Sequence, residues 1–92
     1  MEKLNGRKKL RVSVFISGRG TNLNSLINFS KNKDSPIKIV LVITNNKNAK
    51  GLLYAKKNKI KSSIINYKNK NKAERKILIN LKNNYIDFIC LA

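Results

Sequence analysis

The residues with the clearest capacity for chemistry are Ser17-Gly18-Arg19-Gly20-Thr21-Asn22. They follow a run of apolar residues and precede a segment with helical spacing. A helix that opens at Thr21 or Asn22 presents free backbone N–H groups and a partial positive charge at that end. Both favour a phosphate dianion. The glycines let the backbone take positive φ and approach a ligand closely. Thr21 and Asn22 can cap the helix or donate from their side chains. Arg19 either adds a charged fork or faces solvent. The pattern is not a dinucleotide fingerprint, because Leu23 stands where the third glycine of G-x-G-x-x-G belongs. It is not a Walker A loop either, since no Gly-Lys-Ser/Thr follows. The acidic residue that would hold a ribose 2′-OH after the second strand is replaced by Thr44-Asn45-Asn46. The loop therefore points to a phosphate-bearing ligand and away from a dinucleotide cofactor.

Other chemistries are poorly supplied. The sequence has no His, so no His-based catalysis or metal ligation occurs within it, and no metal is expected. The four acidic residues, Glu2, Asp34, Glu74 and Asp87, are too scattered for a paired carboxylate site. Cys90 lies in an apolar run and reads as a buried core thiol in a reducing, cytoplasmic setting. No apolar run approaches the roughly 20 residues that span a bilayer, so no membrane partner is expected. The basic start, residues 1–9, reads as a tail and not as a signal peptide.

The elements that must position the loop follow from hydrophobic spacing. Leu10 to Ser17 reads as a strand buried on both faces. A helix to about Asn32 follows, with Leu23, Leu26, Ile27 and Phe29 inward. Asp34-Ser35-Pro36 makes a turn, and Ile37 to Thr44 forms the second strand. Asn45 to Asn48 makes a polar loop. The second helix runs from about Ala49 to Asn58, with Leu52, Leu53 and Ala55 inward. Gly51, costly in a helix, implies close helix–sheet packing. Ser62 to Asn66 is a short third strand, and Lys70 to Asn83 a third helix with Ala73, Ile77, Leu78 and Leu81 inward. Asp87 to Ala92 is a fourth strand. Alternating strands and helices define an α/β fold, a Rossmann-like doubly wound parallel sheet of order 3-2-1-4. Its ligand crevice is expected above the carboxyl ends of the first and fourth strands. The apolar last strand needs cover on both faces, so the chain is expected to be truncated after it.

The formal net charge of +17 comes from 21 Lys and Arg against 4 Asp and Glu. It raises nucleic-acid binding as a second reading. Lys, Asn and Ile together make up roughly half of the chain. Codon bias toward A and T raises all three, whereas selection for phosphate backbones raises only Lys among them. The three Phe and three Tyr show no stacking pattern. A nucleic-acid partner is therefore disfavoured, and the positive surface serves equally to attract anionic metabolites.

Three stretches resemble one family, glycinamide ribonucleotide formyltransferase of the folate-dependent type. Val14 to Leu23 (VFISGRGTNL) resembles its I-S-G-x-G-T/S-N-L/M signature. Val42 to Leu52, with Ala55 following, resembles V-x-S-N-x-x-x-A-x-G-L-x-x-A. Asp87 to Ala92 resembles D-x-x-V-L-A. The resemblance spans residues 10–92 and implies the N-terminal part of the formyltransferase fold. It implies formyl transfer from 10-formyltetrahydrofolate, the co-substrate, to the amine of glycinamide ribonucleotide in purine synthesis. It implies that Gly20, Thr21 and Asn22 hold the ribonucleotide phosphate, with Gly18 and Arg19 in support. It also places an Arg against the folate near the start of the third helix. Counting back from Asp87 puts Lys70 there, without the planar guanidinium fork. The family's catalytic Asn, His and Asp and most of its folate site lie beyond the fourth strand, so these residues alone are expected to be inactive. Methionyl-tRNA formyltransferases and formyltetrahydrofolate deformylases have related domains. The Ser-Gly-x-Gly-Thr-Asn loop argues against them.

Overall fold

The computed structural model describes Lys9–Gly18 and Gly20–Ala92; Arg19 and most of the basic tail lie outside the described residues. Four strands and three helices alternate: β1 (Leu10–Phe15), α1 (Thr21–Ser30), β2 (Ile37–Thr44), α2 (Gly51–Lys57), β3 (Lys61–Ile64), α3 (Lys70–Asn83) and β4 (Phe88–Leu91). The sheet is parallel throughout, in the order β3-β2-β1-β4. The fold class and strand order expected from the sequence are both observed.

The sheet is covered on two faces by two separate cores. Val12, Val14 and Ile16 of β1 and its extension, with Ile39 and Val42 of β2, pack against Leu23 and Ile27 of α1 and Ala55 of α2. Leu41 and Ile43 of β2 pack on the other face with Ile65, Ala73 and the half-buried Phe15, Ile77, Leu81 and Ile86. β2 is apolar from Ile39 to Ile43, where both its faces are covered. Its alternation slips once. The β1–β2 register shifts between Val12 and Ser13, which pair with Ile39 and Leu41. Val40 is the extra residue, so Ile39 and Val42 share a face although they are an odd number of residues apart. Ser13, opposite this irregularity, is fully buried, and its Oγ has no hydrogen-bond partner among the described residues.

Helix ends are set by backbone chemistry that the residue types hide. α2 and α3 both close in Schellman motifs. The Ile60 N–H donates to Ala55 O (2.8 Å) and the Lys59 N–H to Lys56 O (3.1 Å). In α3 the Ile86 N–H donates to Leu81 O (3.0 Å) and the Tyr85 N–H to Lys82 O (3.1 Å). Lys59 (φ 57°) and Tyr85 (φ 54°) occupy the left-handed position normally given to glycine. Ile60 packs against the core that contains Ala55, and Ile86 and Leu81 pack against the other core, in keeping with the apolar contact that accompanies the motif. At the other end of α3, the Asn69 side chain accepts from the Lys72 N–H. Lys9 donates from Nζ to Ser30 O (3.2 Å) and Asn32 O (3.0 Å), placing a cation at the negative end of α1.

Three inward assignments fail for one reason, helix phase. In α2, Gly51 and Ala55 are buried, one turn apart, and this turns Leu53 outward at 69% exposure. In α3, Ala73, Ile77 and Leu81 form the inward row at i, i+4 and i+8, leaving Leu78 65% exposed. In α1, Leu23 and Ile27 face the sheet and Phe29 is half exposed. Cys90 is half-buried, packed against the α1–α2 core and not enclosed by it.

Candidate phosphate site at the β1–α1 loop

The carboxyl end of β1 lies at the point where the strand order reverses, with β2 on one side and β4 on the other. In open α/β sheets that reversal leaves a crevice outside the strand ends. Here the crevice is a cleft of about 250 Å³ lined by Ile16, Ser17, Gly18, Gly20, Thr21, Asn22, Leu23 and Ala92. Its walls are fixed by the sheet: the Ile16 N–H donates to Ile43 O (2.9 Å) and the Ala92 N–H to Phe15 O (2.9 Å). At the base of β4, the Asp87 N–H donates to Arg11 O (2.7 Å) and Asp87 Oδ2 accepts from the Arg11 N–H (2.9 Å). Arg11 Nε reaches Asn84 O (3.0 Å), tying the end of α3 to the same corner.

Gly20 controls the opening of α1. It takes φ 84°, ψ 5°, and its carbonyl accepts the first helical bond from the Asn24 N–H (2.9 Å). Among the described residues no side chain caps the helix. Thr21 and Asn22, possible caps by residue type, are instead exposed on the first turn, and this uncapped turn lines the cleft. No acidic residue stands in that turn to compete with an anion. Of the loop's two glycines, only Gly20 has positive φ. A Cβ at Gly18 would meet nothing within 4 Å, so Gly18 borders open space.

Gly20 is also pressed against α2. A Cβ there would lie 2.5 Å from Gly51 Cα, 2.7 Å from Gly51 N and 3.2 Å from Tyr54 Cδ2. A Cβ on Gly51 would in turn meet Ile16 Cδ1 at 2.5 Å and Leu23 Cδ2 at 3.2 Å, with Gly20 Cα at 3.4 Å. The close packing expected at Gly51 is present, but its partner is the β1–α1 loop and the residues flanking it. Sequence reasoning missed Gly51 and Tyr54 as supports of the loop; the glycine at the start of a helix was the available signal. Ile16 and Ala92 join the lining through their bonds to the sheet, and Ser17 through its place in the loop.

The remaining expected residues lie elsewhere. Arg19 is outside the described residues. Lys70 is exposed at the first position of α3 and does not line the β1–α1 cleft. Its neighbours Asn69 and Lys72, with Asn66, Lys68, Ala73 and Lys76, border a second cleft of about 270 Å³. Burial pushes the phenol of Tyr67, in the β3–α3 loop, above its usual pKa. Asn45 and Asn46 make the expected polar turn: Thr44 Oγ1 accepts from the Asn46 N–H (3.1 Å) and Asn46 Oδ1 from the Asn48 N–H (2.9 Å). Among the described residues no group of three or more His, Cys, Asp or Glu could hold a metal, and no helix is long and apolar enough to cross a membrane.

A parallel doubly wound sheet with an uncapped, glycine-led helix at its switch point defines a Rossmann-like α/β domain. More narrowly, the chain belongs to the formyl transferase family, whose family model matches residues 10–92. It is 38% identical over 89 residues to the human trifunctional purine biosynthetic protein adenosine-3, covering 94% of this chain and 9% of that protein. It is 41% identical over 59 residues to phosphoribosylglycinamide formyltransferase of Haemophilus influenzae, covering 64% of this chain and 28% of that one. The crystal structure of phosphoribosylglycinamide formyltransferase from Anaplasma phagocytophilum superposes with a TM-score of 0.82 at 36% identity, over 92% of this chain and 40% of that one. The chain thus spans less than half the length of each of these relatives.

Proposed function

We propose that this chain supplies the phosphate-binding part of a phosphoribosylglycinamide formyltransferase. In this reading the N–H groups at Gly20, Thr21 and Asn22 hold the phosphate of glycinamide ribonucleotide, with Gly18 leaving room for it and Arg19 adding charge. The observation that carries the reading is the uncapped first turn of α1 opening into a cleft at the β1–β4 switch point. A preformed donor array without an internal acceptor suits an anion. The cleft's volume, about 250 Å³, is below the usual range for a whole small-molecule site, which favours one end of a ligand. The relatives' names support formyl transfer to phosphoribosylglycinamide within purine synthesis; in this reading the amine is the acceptor and 10-formyltetrahydrofolate, implied by the resemblance of the motifs, is the one-carbon donor. Lys70 is proposed, more distantly, as a charged neighbour of the folate. A cytoplasmic setting fits biosynthetic relatives of this kind.

The chain's part of the mechanism is anchoring. Holding the phosphate fixes one end of the substrate, so that the amine at the other end has a defined position for attack on the formyl carbon. The described residues offer the anchor and not the groups that manage the proton or the oxyanion. The test is calorimetric titration of the purified chain with glycinamide ribonucleotide and with the same glycinamide riboside lacking its phosphate. The ribonucleotide is expected to bind at least tenfold more tightly, with no formyl transfer by the chain alone. Equal affinities would contradict the phosphate reading, and turnover would contradict the division of labour.

A further inference from the structure

Gly51 does not line the β1–α1 cleft but stands directly behind it. The three atoms nearest to a Cβ placed on Gly51 belong to Ile16, Leu23 and Gly20, and all three residues line the cleft. The contacts are unequal. Ile16 Cδ1 would lie at 2.5 Å, Leu23 Cδ2 at 3.2 Å and Gly20 Cα at 3.4 Å. The last is close to an ordinary van der Waals approach, so a methyl at Gly51 leaves the backbone of the loop in place. The first is a collision with the far end of a flexible side chain, which must turn. Gly51 has no positive φ, so its backbone does not itself require glycine.

Few directions are open to Ile16. It is buried, with the α1–α2 core on one side and the cleft on the other. On the core side Val14 and Leu23 are fully buried, and a packed core takes in a displaced methyl only with strain. On the other side lie about 250 Å³ of cleft. A side chain at position 51 therefore drives the end of Ile16 into the space beside the first turn of α1. We propose that Gly51 is a positioning residue for the substrate phosphate. By lacking a side chain it lets Ile16 pack back against α2, and this keeps the cleft deep enough for a phosphate monoester. The pair Ile16 and Gly51 then sets how large an anionic group the cleft admits. Gly20 acts differently, because a Cβ there strikes the backbone of α2 and the loop itself must move. The inference rests on the phosphate reading and deepens it.

The test is a double-substitution cycle, read by calorimetric titration of the chain with glycinamide ribonucleotide at a temperature where every variant is folded. Gly51→Ala is expected to weaken binding at least tenfold. In an Ile16→Val background, which lacks the colliding Cδ1, the same substitution is expected to cost less than threefold. Ile39→Val, in the same core but away from the cleft, is expected to lower the melting temperature and to change affinity less than twofold. In methyl resonance spectra of the free chain, the Ile16 Cδ1 signal is expected to shift in Gly51→Ala and to gain a cross-peak to the Thr21 amide. Equal losses in the two backgrounds would overturn the proposal. So would parent-like affinity of Gly51→Ala, a tenfold loss in Ile39→Val, or an unmoved Ile16 signal. If Gly51→Ala does not fold, Ile16→Met is read in its place. Its longer, unbranched side chain reaches into the cleft with Gly51 intact, so at least a tenfold loss is expected and parent-like affinity would overturn the proposal. The two readings fail separately. A parent chain that does not bind the ribonucleotide contradicts the phosphate reading and this inference with it. A parent that binds, with Gly51→Ala unchanged, removes only the role given to Gly51.

Discussion

Gly20→Ala is expected to abolish phosphate binding and to lower the chain's stability, because two independent constraints meet at that residue. Its φ of 84° is one that an L side chain adopts at a cost of ~1–2 kcal/mol. Its Cβ would also lie 2.5 Å from Gly51 Cα. That neighbour is backbone, so relief needs α1 or α2 to move, and overpacking of this kind costs ~1–3 kcal/mol. A shift of α1 turns its first-turn N–H groups away from the cleft. The expected result is at least a tenfold loss of affinity for glycinamide ribonucleotide together with a lower melting temperature. Gly18→Ala is the matched comparison, since its Cβ meets nothing within 4 Å. It should leave thermal stability within ~0.5 kcal/mol of the parent. Equal destabilisation by the two substitutions would show that the Gly20–Gly51 contact does not hold the loop.

Leu23→Ala is expected to have the second large effect. Leu23 is fully buried in the α1–α2 core, and its Cδ2 is among the atoms nearest Gly51. It joins the helix that carries the donors to both the sheet and α2. Truncating a buried leucine costs ~2–5 kcal/mol, against the ~5–15 kcal/mol of net stability typical of a domain. For a chain of this size each kcal/mol moves the melting temperature by ~4–8 °C, so a fall of ~10 °C or more is expected by differential scanning calorimetry. Leu53→Ala removes the same atoms from a residue that is 69% exposed and should cost ~0.5 kcal/mol or less. Similar costs at the two positions would mean that the phase assigned to α2 or the burial of Leu23 is wrong.

The contrast between Leu23 and Leu53 also marks what the sequence makes legible. Largely apolar, β-branched runs at Leu10–Phe15 and Ile37–Thr44 identify the two central strands, and their alternation with helical segments leads to the order β3-β2-β1-β4. The glycine pair after β1 marks the loop, because few other residue types suit a helix start that must approach a ligand. Helix phase is less visible. An α2 of only seven residues offers three apolar candidates and one buried row, and Gly51, with no side chain to signal it, helps define that row. The ends of α2 and α3 follow from helical spacing, at about Asn58 and at Asn83, but their Schellman closure is not legible, because Lys59 and Tyr85 stand where glycine usually announces a left-handed residue. The slip at Val40 is silent too, since β2 is apolar on both faces and either register satisfies the pattern. In the candidate site, the helix start after the glycine pair is legible in local sequence. The residues that press on it, Gly51 and Tyr54, come from another helix, and adjacency of that kind requires the fold.

The central claim is that the first turn of α1 is an anion site, and amide nuclear magnetic resonance titration with glycinamide ribonucleotide tests it most directly. The account predicts saturable shifts concentrated at the backbone N–H groups of Gly20, Thr21 and Asn22, with smaller changes at Ser17 and Ala92 across the cleft. Saturable shifts confined to the lysine-bordered cleft at the start of α3, around Lys68, Lys72 and Lys76, would contradict it.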